Sequence, residues 1–211
     1  MKDLRYMTVE ELTEVTASNA PAPGGGSISA LAGALAAALA SMVANLSQGK
    51  PYEAVRPRME AIVKELEGLR IELLQAMQED TEAFNQYMQA LTLPKTTEQE
   101  RLVRSNAMQE GLKAAARTPL GVAQAIVPVF ALLEELIATG NPNAVTDALV
   151  GTMMARSGIL GALFNVKVNL ASIREEAFVV SMEQEVLRLQ QQALEGEKRV
   201  FACSEFSRAV L

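Results

Sequence analysis

Apolar residues recur every three or four positions from about Pro57 to Leu93, at Ile62, Leu66, Leu69, Leu73, Met77, Phe84, Met88 and Leu91. That is the period of a helix with one buried face, and it predicts a single long helix over about 57–93. Ahead of it, Ile28 to Gln48 contains no Asp, Glu, Lys or Arg and is rich in Ala. A helix apolar on nearly every side is one surrounded by other helices. The pattern therefore predicts a buried Ala/Gly-rich helix over 27–48, whose Ala30, Gly33, Ala34, Ala37, Ala38 and Ser41 let neighbouring backbones come close.

Punctuation marks the remaining helices. Thr8-Val9-Glu10-Glu11 and Thr97-Glu98-Gln99-Glu100 have capping-box spacing, so one helix opens after Thr8 and ends near Asn19, and another runs from Thr97 to about Arg117. Gly49 is the expected C-terminal cap of helix 27–48, and Pro94 stops the long helix. Thr118-Pro119 is expected to start a further helix, because proline suits the first helical position, and Pro128 to kink it. Gly140-Asn141-Pro142 ends that helix, the next begins near Asn143, and a charged amphipathic helix runs from about Ile173 to Phe206. No alternating β-branched run competes. The expected fold class is all-α, one domain over 1–211 built as a bundle of about seven helices.

Composition narrows what such a bundle does. Hydrophobic residues fill 49% of the 211 positions but aromatic ones only 4%, with no Trp, so the core is built from Ala, Leu, Val, Ile and Met. The 19 Lys and Arg are interspersed among 25 Asp and Glu, for a net charge of −6, which argues against nucleic acid as a partner. Cys203 is the only cysteine, which excludes an intrachain disulfide and is compatible with the reducing cytoplasm, the expected location. The chain has no His, which removes the commonest general base and the commonest zinc ligand. Acid–base chemistry then falls to Asp, Glu, Lys or Tyr.

The first 19 residues mix charged and apolar positions and predict no signal peptide. Helix 27–48 has about the length that a bilayer requires. Ala contributes little insertion energy, however, and Ser27, Ser29, Ser41, Asn45, Ser47 and Gln48 are polar, so no membrane is expected.

Three local features carry candidate chemistry. The first is Pro23-Gly24-Gly25-Gly26-Ser27. Three consecutive glycines cost backbone entropy that a plain connector rarely needs, and Ser27 is the expected N-cap of the next helix. Bare N–H groups at a helix start, with the positive end of its dipole, suit an anionic or carbonyl-bearing ligand. The second is Asp80, three residues after Met77 and four before Phe84, in a slot of the apolar stripe. Burial raises a carboxylate's pKa toward the range where it both takes and gives a proton near neutrality. The alternative is a carboxylate at the stripe's edge or one paired with an Arg of a neighbouring helix. The third is Asp147, Gly151, Met154, Gly158, Ala162, Asn165 and Asn169, which share one face if their helix is continuous through Gly158 and Gly161. That face is either a close helix crossing or a ligand wall of amide donors and acceptors.

Together these landmarks resemble the formimidoyltetrahydrofolate cyclodeaminase family, found as the C-terminal domain of formiminotransferase-cyclodeaminase and as free-standing bacterial proteins. The motifs that carry the resemblance are Pro23-Gly24-Gly25-Gly26-Ser27, Gly49-Lys50, Asp80-Thr81-Glu82-Ala83-Phe84, Leu93-Pro94-Lys95, Gly140-Asn141 with Asp147 beyond it, and Asn165-Val166 with Asn169-Leu170. Each is weak alone, and their order and spacing are specific. The resemblance implies a compact all-α homodimer acting on folate without metal or other cofactor. It implies conversion of 5-formimidoyltetrahydrofolate to 5,10-methenyltetrahydrofolate with release of ammonia, with Asp80 as proton acceptor and donor. It also implies substrate contacts from Gly24, Gly25, Gly26 and Ser27, from Lys50 toward a glutamate tail, single or polyglutamylated, and from Asn141, Asp147, Asn165 and Asn169 toward the pterin. A related branch of the family is methenyltetrahydrofolate cyclohydrolase, which gives 10-formyltetrahydrofolate, and nothing in the sequence separates the two activities. A non-catalytic helical folate binder is the alternative from another class.

Overall fold

The computed structural model describes residues 2–208, and among these there is no strand. The helices are α1 (Val9–Ala17), α2 (Gly25–Leu46), α3 (Arg56–Thr92), α4 (Glu98–Ile126), α5 (Val129–Thr139), α6 (Val145–Leu170), α7 (Glu176–Ala202) and the single turn α8 (Glu205–Arg208). Both expected capping boxes form, Thr8 with Glu11 and Thr97 with Glu100.

The centre of the bundle is α2, packed between α3 and α6. Its Ala30, Ala36, Ala37, Ala40 and Ala44 are fully buried, and these small side chains are what let two long helices close on it. The closest approach is to α6, which runs antiparallel to α2: Asn165 lies beside Gly25, Gly158 beside Ser29 and Gly33, and Gly151 beside Ala36 and Leu39. A Cβ on Gly158 would stand 2.9 Å from the Ser29 carbonyl oxygen, so only glycine permits this crossing. Helix α6 is therefore continuous through Gly158 and Gly161, and its small residues serve the crossing. Around this centre α3, α4, α5 and α7 contribute the larger core side chains, Leu66, Leu73, Met77, Ile126, Phe130, Leu133 and Leu189 among them.

Several boundaries differ from expectation, each for a physical reason. Helix α4 runs through Pro119, where a start was expected, while the interruption expected at Pro128 is present as the break between α4 and α5. A proline inside a helix leaves the carbonyl four residues earlier without its N–H. Here that carbonyl is Ala115, and the Asn169 amide of α6 donates to it at 3.0 Å. Helix α2 starts two residues before Ser27, with Gly24 at the N-cap, so Ser27 lies within the first turn and is fully buried. Its C-terminal cap is Ser47, and Gly49 instead precedes a short turn over Lys50–Tyr52.

Along α3 the stripe holds through Ile62, Leu66, Leu73 and Met77 and then shifts to Thr81, Ala83 and Ala90, leaving Met88 exposed and Phe84 and Leu91 half-buried. The Tyr87 backbone comes against Gly111 of α4 there, where a Cβ would stand 3.0 Å from the Tyr87 Cα, and small residues line the contact. Nor is α2 covered on every side. Leu35, Met42 and Leu46 are exposed, as are Val150, Met153, Phe164 and Val168 of α6 beside it. Three stretches, Gly25–Leu46, Glu98–Thr139 and Pro142–Leu170, are long and apolar enough to cross a membrane, and about half of each apolar window is buried within the bundle.

Candidate active site

Gly24, the N-cap of α2, has no side chain to bond the free N–H groups of the first turn, and the first N–H groups of a helix have no carbonyl partner within it. Asp80 of α3 occupies that place from outside. Its Oδ2 accepts a hydrogen bond from the Ser27 hydroxyl at 2.9 Å, and the Ser27 backbone N–H also bonds the carboxylate. The carboxylate lies so close over Gly26 that a Cβ there would overlap Oδ1 and stand 2.6 Å from Cγ. Gly26 is thus explained by the approach of a carboxylate, which any side chain there would displace.

Burial raises the Asp80 pKa above its ordinary value, and the Ser27 hydroxyl and backbone N–H pull it part of the way back. No cation takes part in that balance, so Asp80 is not the carboxylate of an Arg ion pair. Asp80 is nonetheless only half-buried. A partly desolvated carboxylate with one oxygen held by a hydroxyl is suited to carrying a proton between two positions on a bound molecule.

Asn165 completes this end of α2. Its amide nitrogen would stand 3.0 Å from a Cβ on Gly25, and it donates to the Gly161 carbonyl at 2.9 Å. No described residue bonds its Oδ1, and that atom is not buried. Asn169, one turn on, has both amide protons engaged, one by Ala115 and one by the Asn165 carbonyl at 2.8 Å. Its amide group therefore ties α6 to α4 and has no proton left for a ligand.

Lys50, Asn141 and Asp147 lie at the opposite end of α2. The helix has 22 residues, which at about 1.5 Å per residue separates its ends by roughly 33 Å. The Asn141 side chain accepts from the Asn143 N–H and donates to the Leu46 carbonyl at 3.3 Å, closing the turn that precedes α6. Lys50 is exposed, and Asp147 is half-buried in the first turn of α6. One chain therefore brings together Gly24, Gly25, Gly26, Ser27, Asp80, Asn165 and Asn169, and holds Lys50, Asn141 and Asp147 apart from them. Among the described residues no three His, Cys, Asp or Glu side chains form a metal-binding group.

The family model described as formiminotransferase-cyclodeaminase matches residues 8–188. The chain belongs to the formiminotransferase-cyclodeaminase family. Its similarity within that family extends in two directions. It is 36% identical to a methenyltetrahydrofolate cyclohydrolase of Methylorubrum extorquens, over 92% of this chain and 94% of that one. It is 38% identical to a formimidoyltransferase-cyclodeaminase of Gallus gallus, over 87% of this chain but only 34% of the relative. The chain thus spans about a third of the length of that relative. Its fold matches the crystal structure of a formiminotetrahydrofolate cyclodeaminase from Thermotoga maritima with a TM-score of 0.84 and 32% identity, covering 95% of this chain and 96% of that one.

Within this family fold, one site residue escaped the sequence reading. Thr81 is almost fully buried, and its hydroxyl lies 3.2 Å from that of Ser27. Its signal was present: it stands four residues after Met77, on the same stripe that singled out Asp80.

Proposed function

We propose that this protein converts 5-formimidoyltetrahydrofolate to 5,10-methenyltetrahydrofolate and ammonia, with Asp80 carrying the proton. The observation that carries the reading is the Asp80 carboxylate, desolvated and held by Ser27 over the bare glycine start of α2. The formimidoyl nitrogen enters protonated, as the amidinium; substrate N10 attacks its carbon and gives up its own proton to Asp80. The tetrahedral carbon then carries an amino group, which takes the proton back and leaves as ammonia, and the carbon closes as the methenyl bridge between N5 and N10. A raised pKa suits both halves, because one group must be base first and acid second. Asn165 Oδ1 serves as acceptor for a ring N–H, and the Gly25 and Gly26 N–H groups as donors. Family membership supports folate as the substrate class.

The second reading is methenyltetrahydrofolate cyclohydrolase, favoured by the relative matched along nearly its whole length. Water then adds to the methenyl carbon, Asp80 takes the water's proton, and cleavage at N5 gives 10-formyltetrahydrofolate. Incubation with each substrate separates the two readings. Ammonia released from the formimidoyl compound, with no acceleration of methenyl hydrolysis, supports the deaminase. Accelerated hydrolysis of the methenyl compound alone overturns it, and binding of both without turnover makes the protein a folate binder.

The exposed apolar side chains on neighbouring α2 and α6 support a homodimer through that face. The same reading makes the protein a cytoplasmic enzyme with no membrane, metal or additional cofactor. Lys50, Asn141 and Asp147 stand outside the proposed site of their own chain.

A further inference from the structure

Ser27 and Thr81 have almost no surface to offer a ligand, with exposures of 0% and 3%. Their hydroxyls nonetheless form a chain that ends on the proposed proton carrier: Thr81 Oγ1 lies 3.2 Å from Ser27 Oγ, which lies 2.9 Å from Asp80 Oδ2. A serine hydroxyl has one proton. When Asp80 is ionised that proton points to Oδ2, so Thr81 must be the donor in the remaining contact. The ordered sequence is Thr81 to Ser27 to Asp80, and it ends on Oδ2, with no side-chain hydroxyl on Oδ1.

We infer that Ser27, oriented by Thr81, is the positioning residue of this site, holding Oδ2 of Asp80 so that Oδ1 is the oxygen used for proton transfer. The inference rests on the reading of Asp80 as proton carrier and adds to it how that carboxylate is aimed. Three features of the fold serve the arrangement. Gly26 leaves room for the carboxylate, the first turn of α2 presents the Ser27 N–H and hydroxyl together, and Asp80 and Thr81 are consecutive on α3. Burial and the Ser27 bonds are the causes that move the Asp80 titration, and no charged side chain of α2, α3, α4 or α6 is among them. The hydroxyl chain is therefore the part of the surroundings that a substitution can change cleanly.

The test reads Asp80 directly. The chain has three aspartates, Asp3, Asp80 and Asp147, so carbon-13 labelling of aspartate carboxyls resolves each titration by NMR without any substrate. In Ser27→Ala the Asp80 titration moves to higher pH. Thr81→Val moves it the same way by less, and Thr81→Ser restores it. Turnover near neutrality falls about tenfold in Ser27→Ala with KM unchanged, the effect of losing one hydrogen bond to a charged group. An Asp80 titration unmoved in Ser27→Ala, with native thermal melting, overturns the inference, as does a raised KM with kcat unchanged. Failure of the Asp80 reading is distinguishable, because Asp80→Asn would then keep full turnover whatever Ser27 does.

Discussion

The two ends of α2 are made from similar parts and end in different places. At the C-terminal end the Ser47 hydroxyl donates to the Val43 carbonyl at 2.7 Å and accepts the Asn141 N–H at 2.8 Å, with Gly140 pressed against it. At the N-terminal end the Ser27 hydroxyl donates to Asp80, with Gly26 pressed against that carboxylate. The first cluster is neutral and closed within itself: it is a joint between α5, α6 and α2. The second holds a partly desolvated carboxylate that only one side-chain hydroxyl bonds. A glycine beside a serine at a helix end therefore says only that something approaches closely, and the chemistry follows from what approaches.

That contrast predicts opposite responses at the two ends. The largest belongs to Asp80→Asn, expected to lower turnover by about a hundredfold to ten-thousandfold while folate binding and the fold are kept, since the Asn amide oxygen still accepts from the Ser27 hydroxyl. Next is Gly26→Ala, which displaces the carboxylate and lowers turnover by about a hundredfold. Its counterpart Gly140→Ala places a Cβ 2.5 Å from the Leu136 carbonyl oxygen. It is expected to lose about 1–3 kcal/mol of stability by denaturant titration, with turnover unchanged in the folded fraction. Equal losses of turnover from both glycine changes would erase the distinction between the ends.

Ser47→Ala is milder in kind. It leaves the half-buried Asn141 N–H without its partner and is expected to cost about 1 kcal/mol, again without change in turnover. The smallest effect is a slope. Burial sets the folded pKa of Asp80 above its unfolded value, so its contribution to stability is complete below the unfolded value and is lost as pH rises through the folded one. Relative to Asp80→Asn, the wild-type protein should therefore lose stability with rising pH across that window. A gain would mean that the Ser27 bonds outweigh burial.

Much of the fold was legible because its signals are local. The capping boxes at Thr8 and Thr97 and the stripe from Ile62 to Met77 need no partner outside their own helix. What was illegible depends on distant partners. Pro119 reads as a helix start unless Asn169, fifty residues later, is known to take up the Ala115 carbonyl. Ser27 reads as an N-cap unless Asp80 is known to arrive from α3 and fill that place. The site was legible in Asp80, whose position on the stripe marks it as desolvated, and in the glycines that admit it. Thr81 passed unnoticed because a threonine on an apolar stripe is ordinarily a core residue with a satisfied hydroxyl. The separation of Lys50, Asn141 and Asp147 from Asp80 could not be read, since it depends on α2 being straight and on α6 running antiparallel to it.

A structure with a non-reactive analogue of 5-formimidoyltetrahydrofolate bound tests the central claim most directly. The account predicts N10 or the one-carbon unit within about 2.6–3.2 Å of Asp80 Oδ1, with Gly25, Gly26 and Asn165 against the ligand and Ser27 still on Oδ2. An analogue seated with its reacting nitrogen away from Asp80, at the Lys50 and Asn141 end of the same chain, would contradict it.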